Sequence, residues 1–209
     1  MKALLKWFNR LFAGSLNGRP QTSPNFSSRS KTSSTPEQII TPLVKLVQIA
    51  EAELGKKETA GSNRGPDVRK YQAATNLEPG AWPYCAAFVC WCIQQWLNDS
   101  EARAWLSLKK STPAAWRPKT ALAFGFIKWA QARPATVEVL PDTAEPRSGD
   151  LAVFDFSHIG IVKRNLGDKF EAIEGNTNGA GSREGDGVYL KIRSRSLARA
   201  FLRIHPSRA

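Results

Sequence analysis

A cysteine near the start of a predicted helix is the first feature of this sequence that could do chemistry. Cys85 follows Pro83 in residues 82–92 (WPYCAAFVCWC), where small and apolar residues recur as on a helix packed in a core. This pattern places Cys85 in the first helical turn. Unpaired N–H groups and the positive end of the helix dipole stabilise a thiolate there. The sequence therefore predicts a cysteine nucleophile at residue 85.

A base and a group that orients it are predicted downstream of this cysteine, because nucleophilic catalysis by a thiol needs both. His158 opens one β-branched segment, and the next such segment ends in Glu174-Gly175-Asn176. Hairpin neighbours can bring a histidine and a carboxylate within hydrogen-bonding distance. We predict that His158 is the base and that Glu174 or Asn176 orients it. Glu174 is favoured, because a carboxylate better stabilises imidazolium charge.

The remaining cysteines, Cys90 and Cys92, are interpreted as core residues. All three cysteines lie within residues 85–92, where the spacing and side-chain directions on one helix do not allow a disulfide. With only two histidines in the chain, a zinc site is not expected. The sequence predicts no metal and no cofactor.

The elements that must position these residues fall into two groups, helices first and strands afterwards. Helices are predicted over 42–54, 67–74, 85–98 and 120–132, with a loop region between the last two. Short apolar segments separated by turn residues predict strands over 136–140, 150–154, 158–163, 169–174, 188–193 and 200–204. This order is typical of an α+β domain in which N-terminal helices pack on an antiparallel sheet.

Three motifs in this order resemble those of the CHAP family of cysteine amidases and peptidases, within the NlpC/P60 and papain-like group. They are CAAFV at residues 85–89, GDLAVF followed by HIGIV over residues 149–162, and IEGN at residues 173–176. The resemblance implies a papain-like fold and a peptidoglycan substrate. It also implies that Cys85 is the nucleophile, that His158 is the base and that Glu174 or Asn176 orients the histidine. Trp82 and Tyr84 are candidate walls of the substrate cleft.

Two departures limit what the resemblance implies. The sequence shows no recognisable wall-binding repeat. It also lacks, before Cys85, the acid-rich loop that binds calcium in some members of the family.

The N-terminal part of the chain differs in composition from the rest. Residues 1–13 predict a basic amphipathic helix that could contact an anionic membrane or lipopolysaccharide, or could dock on protein instead. Residues 14–36 are rich in Ser, Thr, Pro and Gly and predict a flexible linker. The catalytic domain is predicted over residues 37–209. Charges interrupt the apolar runs of residues 1–13, so we expect neither a membrane span nor a signal peptide.

The net charge of +12 draws the protein towards polyanions. No nucleic-acid-binding signature accompanies it, so nucleic acid is not expected as a partner. We expect a monomer that is made in the cytoplasm and acts at the cell wall or periplasm after lysis or dedicated secretion, as a phage endolysin or antibacterial effector would. Two alternatives remain open at this point: a non-catalytic domain that binds wall or membrane polyanions, and a related amidase that acts on a non-wall amide.

Overall fold

The computed structural model describes residues 42–59, 61–109 and 113–207. Within these ranges six helices precede six strands, with a short 3-10 helix before the last strand. The helices are α1 (Pro42–Glu51), α2 (Pro66–Gln72), α3 (Cys85–Trp96), α4 (Ser100–Trp105), α5 (Pro113–Trp116) and α6 (Gly125–Gln131). The strands are β1 (Val137–Leu140), β2 (Leu151–Phe154), β3 (His158–Asn165), β4 (Lys169–Thr177), β5 (Gly187–Ser194) and β6 (Ala198–Ile204). The predicted α+β class is confirmed.

All six described strands form one sheet in the order β1-β6-β2-β3-β4-β5, and every neighbouring pair is antiparallel. Strands β2 to β5 are consecutive hairpin neighbours, whereas β6 returns to lie between β1 and β2. The register pairs Ile161 of β3 with Ile173 of β4. The strand that begins with His158 therefore lies directly beside the strand that carries Glu174.

Buried apolar side chains cover both faces of this sheet. In β2, Leu151 and Val153 belong to a large cluster shared with the helices, whereas Ala152 and Phe154 belong to a smaller cluster with Phe170. Successive side chains of a strand point to opposite faces, so the two clusters lie on opposite sides of the sheet. The helices cover one face, which gives the layered arrangement expected from the sequence.

Helix α3 is the most deeply buried helix of the described chain. Nine of its twelve residues are buried, and it packs against α1 and α2 on one side and β3 and β4 on the other. A helix that is apolar on nearly all sides can only lie within a core. This burial fixes the direction of the helix and hence the position of Cys85 at its first residue.

The prediction of a loop over residues 99–118 was wrong, because helices α4 and α5 lie there. Asp99 caps α4, since its side-chain oxygen accepts a hydrogen bond from the Glu101 N–H at 2.8 Å. The helix predicted from Thr120 begins only at Gly125. The Thr120 hydroxyl accepts from the Leu122 N–H at 3.1 Å, which stabilises a turn in place of helix.

Four tryptophans hold the shorter helices against α3. The ring of Trp96 in α3 contacts those of Trp105 and Trp116, with centroid distances of 6.2 and 6.4 Å. The ring of Trp116 in turn contacts that of Trp129, with a centroid distance of 5.2 Å. Such aromatic pairs add stability beyond the area that they bury. Most of the tryptophan content is therefore used in the helical layer.

The predicted helix over residues 1–13 and the predicted linker over residues 14–36 lie outside the described residues and stay predictions. The described helices and strands belong to one compact unit. None of the described helices has the length and apolar character needed to cross a bilayer.

Candidate active site

Cys85 is the first residue of α3, as the sequence predicted. Its N-cap residue, Tyr84, makes no side-chain hydrogen bond to the first turn of the helix. The first backbone N–H groups of a helix have no partner within the helix, so they are available to stabilise negative charge near the thiol. Cys85 is only 6% exposed, but it lines a cavity of about 210 Å³. The thiol therefore faces a space that a small part of a substrate could enter.

His158 is the first residue of β3 and is completely buried. Its Nε2 atom lies 3.0 Å from Oε2 of Glu174, a hydrogen bond that requires Nε2 to carry the proton when the carboxylate is ionised. Its Nδ1 atom is buried, and no well-formed hydrogen bond reaches it from the described residues. Nδ1 is thus the imidazole nitrogen that is open to exchange a proton with a reacting group.

Cys85 and His158 interact directly in electrostatic terms. Burial alone would lower the pKa of His158, but interactions with the neighbouring Cys85 thiol and then with the Glu174 carboxylate outweigh it and raise this pKa to about 9. The imidazole is therefore mainly protonated at neutral pH.

Glu174 is completely buried, and its carboxylate forms hydrogen bonds with two residues. Its carboxylate accepts from Nε of Arg193 at 2.8 Å and from Nη2 of the same residue at 2.5 Å, in addition to its bond with His158. Burial would raise the pKa of Glu174, but the hydrogen bonds from Arg193 and His158 dominate and lower it. The carboxylate therefore stays ionised and keeps its hold on the imidazole.

Arg193, on β5, is a candidate site residue that was not predicted from the sequence. Its guanidinium binds Glu174 through two parallel hydrogen bonds, and its Nη1 donates to the Gly181 carbonyl at 3.0 Å. A planar fork of this kind fixes the orientation of a carboxylate as well as its charge. Cys85, His158, Glu174 and Arg193 thus form a continuous chain of interacting groups.

Two phenylalanines shield this chain from solvent. The ring centroids of Phe154 and Phe156 lie 6.0 Å and 5.8 Å from that of His158, and the guanidinium of Arg193 lies 5.5 Å from each phenylalanine ring. Contacts of a cation with aromatic faces are favourable where water is excluded. The shielding strengthens the hydrogen bonds between His158, Glu174 and Arg193.

Asn176 does not orient the imidazole in this structure, which corrects that part of the sequence prediction. Its side-chain amide donates to the Arg183 carbonyl at 3.4 Å, and the next residue, Thr177, donates its hydroxyl proton to the Ser182 carbonyl at 2.5 Å. Both bonds hold the loop that carries Arg183, another residue lining the Cys85 cavity. Asn176 therefore shapes the loop beside the cavity.

The two predicted cleft residues lie in different places. Trp82 lines the Cys85 cavity, as expected for a cleft wall. Tyr84 does not; it is 1% exposed and packs on Tyr71 with ring centroids 6.0 Å apart. Its prediction as a cleft wall is therefore wrong, because the side chain at the N-cap of α3 turns into the helical core.

The loop that leads into α3 is held by Gln72, a residue that sequence analysis did not single out. The buried side chain of Gln72 donates to the carbonyls of Gly80 and Trp82 at 2.8 and 2.9 Å and accepts from the Gly80 N–H at 3.1 Å. These three bonds fix the backbone just before Cys85. A buried glutamine has no local sequence signal, because its partners are eight and ten residues away.

The described residues contain no group of three or more His, Cys, Asp or Glu side chains placed to hold a metal ion.

An α+β domain with a cysteine at a helix start, beside a strand-borne histidine and glutamate, has the arrangement of a papain-like cysteine amidase or peptidase. Residues 75–176 match the family model described as the CHAP domain. This part of the chain is thus similar to the CHAP domain, which belongs to a family of amidases and peptidases that act on peptidoglycan. The matched range contains Cys85, His158 and Glu174 and ends before Arg193. A comparison with curated proteins finds no match.

Proposed function

We propose that this protein is a cysteine hydrolase that cleaves an amide bond of peptidoglycan. The bond is either the one between N-acetylmuramic acid and L-alanine or one within the stem peptide or cross-bridge. The observation that carries the proposal is the chain of interactions from Cys85 through His158 to Glu174 and Arg193. The similarity of residues 75–176 to the CHAP domain supports the substrate class, and the site geometry supports the reaction type.

In the first step, the Cys85 thiolate attacks the carbonyl carbon of the scissile amide and forms a C–S bond. Negative charge then develops on the carbonyl oxygen. Backbone N–H groups at the start of α3 are suitably located to stabilise this oxyanion, and the loss of one such donor costs about 3 kcal/mol in typical hydrolases. The proton on His158 Nδ1 is donated to the leaving nitrogen, so the C–N bond breaks and an amine departs.

In the second step, a water molecule enters and the acyl group leaves the enzyme. Neutral His158 now accepts a proton from water through Nδ1, and the resulting hydroxide attacks the thioester carbon. The C–S bond breaks, Cys85 returns to its thiolate form and the product leaves as a carboxylic acid. Glu174 and Arg193 keep Nε2 protonated throughout, which leaves Nδ1 as the exchanging nitrogen in both steps.

We also propose that the protein reaches the cell wall by lysis or by dedicated secretion, as an endolysin or an antibacterial effector does. The predicted basic helix at residues 1–13 would assist by contact with an anionic membrane or lipopolysaccharide. Both statements extend beyond the described site and depend on the hydrolase proposal.

The proposal is tested by incubating the purified full-length protein with sacculi and identifying the released fragments by mass spectrometry. Wild type should release soluble muropeptides with one new amine and one new carboxyl end, which identifies the bond. Cys85→Ala should release none. Cys90→Ala is the matched control, since it removes a buried thiol of the same helix, and it should remain active.

Two results would contradict the proposal: no release by wild type, or equal release by Cys85→Ala. Wall binding by both proteins without release would favour a non-catalytic polyanion-binding domain. Cleavage of small amides with no action on sacculi would favour an amidase with a non-wall substrate.

A further inference from the structure

The cavity beside Cys85 borders a larger groove. This second space, of about 860 Å³, shares three lining residues with the Cys85 cavity: Leu77, Ala121 and Leu122. Leu77 is 52% and Leu122 71% exposed, so the boundary between the two spaces is open to solvent. A ligand that occupies the Cys85 cavity could extend directly into the larger groove.

The larger groove, here called the basic groove, is lined by four cationic side chains and by no Asp or Glu among the described residues. The cations are Arg117, Lys119, Lys128 and Arg133. Four like charges around a concave surface produce a strong positive potential within it. The basic groove is therefore suited to an anionic ligand.

The two arginines of the basic groove are held in place by backbone carbonyls. Arg117 donates to the carbonyls of Ala74 and Pro118. Arg133 donates to those of Trp129 and Ala115, at 3.0 and 2.9 Å. These bonds fix the guanidinium groups without neutralising their charge. Preorganised cations of this kind lose little entropy when they bind an anion.

The charges of the basic groove have no described carboxylate to balance them. None of its four cations forms an ion pair within the described residues. Burial lowers the pKa of both Arg117 and Arg133, because their charged groups are partly withdrawn from water. A bound anion would offset that cost.

We infer that the basic groove binds the carboxylate groups of the peptide part of the substrate, next to the amide held at Cys85. The inference rests on the proposed function, whose substrate it specifies further. In the glycan part of peptidoglycan, the lactyl carboxyl group is consumed by the amide bond to the stem peptide. The stem peptides, in contrast, carry free carboxylates on their side chains and chain ends. Exposed Leu77 and Leu122 would contact the apolar parts of the same peptide.

Binding is measured with full-length Cys85→Ala, so that the ligand is not cleaved. The two probes are a soluble disaccharide–stem peptide with free carboxylates and the same molecule with its carboxylates converted to amides. The free carboxylates should tighten binding by about tenfold, since charge-assisted bonds to fixed arginines are stronger than neutral ones. This difference should shrink as salt screens the groove.

Two charge reversals test the location. In the Cys85→Ala background, Lys119→Glu and Lys128→Glu should each weaken binding of the carboxylate probe by about fivefold, with little effect on the amidated probe. Lys169→Glu is the matched control, because Lys169 is an exposed lysine outside the groove. It makes the same charge change and should leave both affinities unaltered.

The inference is overturned if the two probes bind equally, or if Lys169→Glu weakens binding as much as the groove variants do. It is also overturned if a poly(glycerol phosphate) binds the groove more tightly than the carboxylate probe, which would assign the groove to a polymer of the wall. Failure of the proposed function is seen separately, as the absence of sacculus cleavage by wild type.

Discussion

Arg193 on β5 binds both carboxylate oxygens of Glu174 on β4, with its Nε 2.8 Å from Oε1 and its Nη2 2.5 Å from Oε2. The same Oε2 atom accepts from His158 at 3.0 Å. Glu174 therefore cannot rotate without losing one of these bonds. The arginine acts on the imidazole through the carboxylate, and we regard it as a positioning residue.

Replacement of Arg193 by Lys should lower kcat by about ten- to hundredfold, because a lysine keeps the charge but cannot hold both carboxylate oxygens in one plane. KM should change much less, since Arg193 does not line the Cys85 cavity. Steady-state kinetics on a soluble muropeptide separates the two parameters. A proportional rise in KM with unchanged kcat would contradict the positioning role.

The Arg193→Met variant measures the cost of removing the bidentate cationic partner of the buried Glu174 carboxylate, which would keep only its bond with His158. We expect the free energy of unfolding to fall by about 3 kcal/mol, as when one partner of a buried ion pair is removed. Denaturant titration provides the value. An exposed ion pair is the matched comparison: Arg199→Met removes the partner of Asp155 and should cost less than about 1 kcal/mol.

Much of the site could be predicted because it depends on local patterns. Cys85 follows a helix-start signal, and His158 and Glu174 lie on two strands that are neighbours both in the chain and in the sheet. Consecutive hairpin strands place such residues together almost regardless of the rest of the fold. The α+β class followed from the same separation of helical and strand patterns.

Arg193 could not be predicted, because this part of strand β5 exposes the face that its sequence predicts to be buried and buries the other face. Its apolar residues Leu190 and Ile192 are 39% and 61% exposed, whereas Arg193 is only 9% exposed. An alternating strand is normally read with its apolar residues inside. Here the buried Glu174 on the neighbouring strand reverses that preference, and a charge partner on another strand leaves no local signal.

Tyr84 and Asn176 were misassigned for a related reason. Both lie within or next to a functional motif, but their side-chain directions are set by tertiary packing. Tyr84 turns towards Tyr71 in the core, and Asn176 adopts a left-handed backbone conformation, with φ of 58°. Asparagine tolerates that conformation better than most residues, and there its side chain bonds the Arg183 carbonyl.

Selective alkylation should distinguish Cys85 from the two other cysteines in the native protein. Burial raises the pKa of Cys90 to about 12 and that of Cys92 well above its ordinary value. Both thiols are also inaccessible, whereas Cys85 lines a cavity. Iodoacetamide at neutral pH should therefore label Cys85 alone, as read by peptide mass spectrometry. Cys85→Ala should stay unlabelled until denaturant is added, and native labelling of Cys90 would contradict the assignment.

The pH dependence of kcat/KM should show a basic limb with a midpoint of about 9, the pKa of His158. Since this pKa is raised above its ordinary value, the protonated imidazole persists to higher pH, and activity is lost when it deprotonates and can no longer donate to the leaving amine. Glu174→Gln should move the midpoint to lower pH, because it removes a carboxylate that favours the imidazolium. An unchanged midpoint in Glu174→Gln would contradict the assignment of this limb to His158.

Gly160 on β3 should tolerate no side chain without disturbing the site. A Cβ atom there would lie 2.6 Å from Cγ of Glu174 and 3.1 Å from the Ile173 carbonyl oxygen, so the carboxylate would have to move. We expect Gly160→Ala to lower kcat by about tenfold or more through displacement of Glu174. The free energy of unfolding should fall by about 1–3 kcal/mol, as for other overpacked sites.

Gly179→Ala is the control, since a Cβ at Gly179 would meet nothing within 4 Å. The methyl group added in Gly160→Ala, by contrast, would force the Glu174 side chain out of its present position. Full activity of Gly160→Ala would therefore contradict the dependence of the reaction on that position.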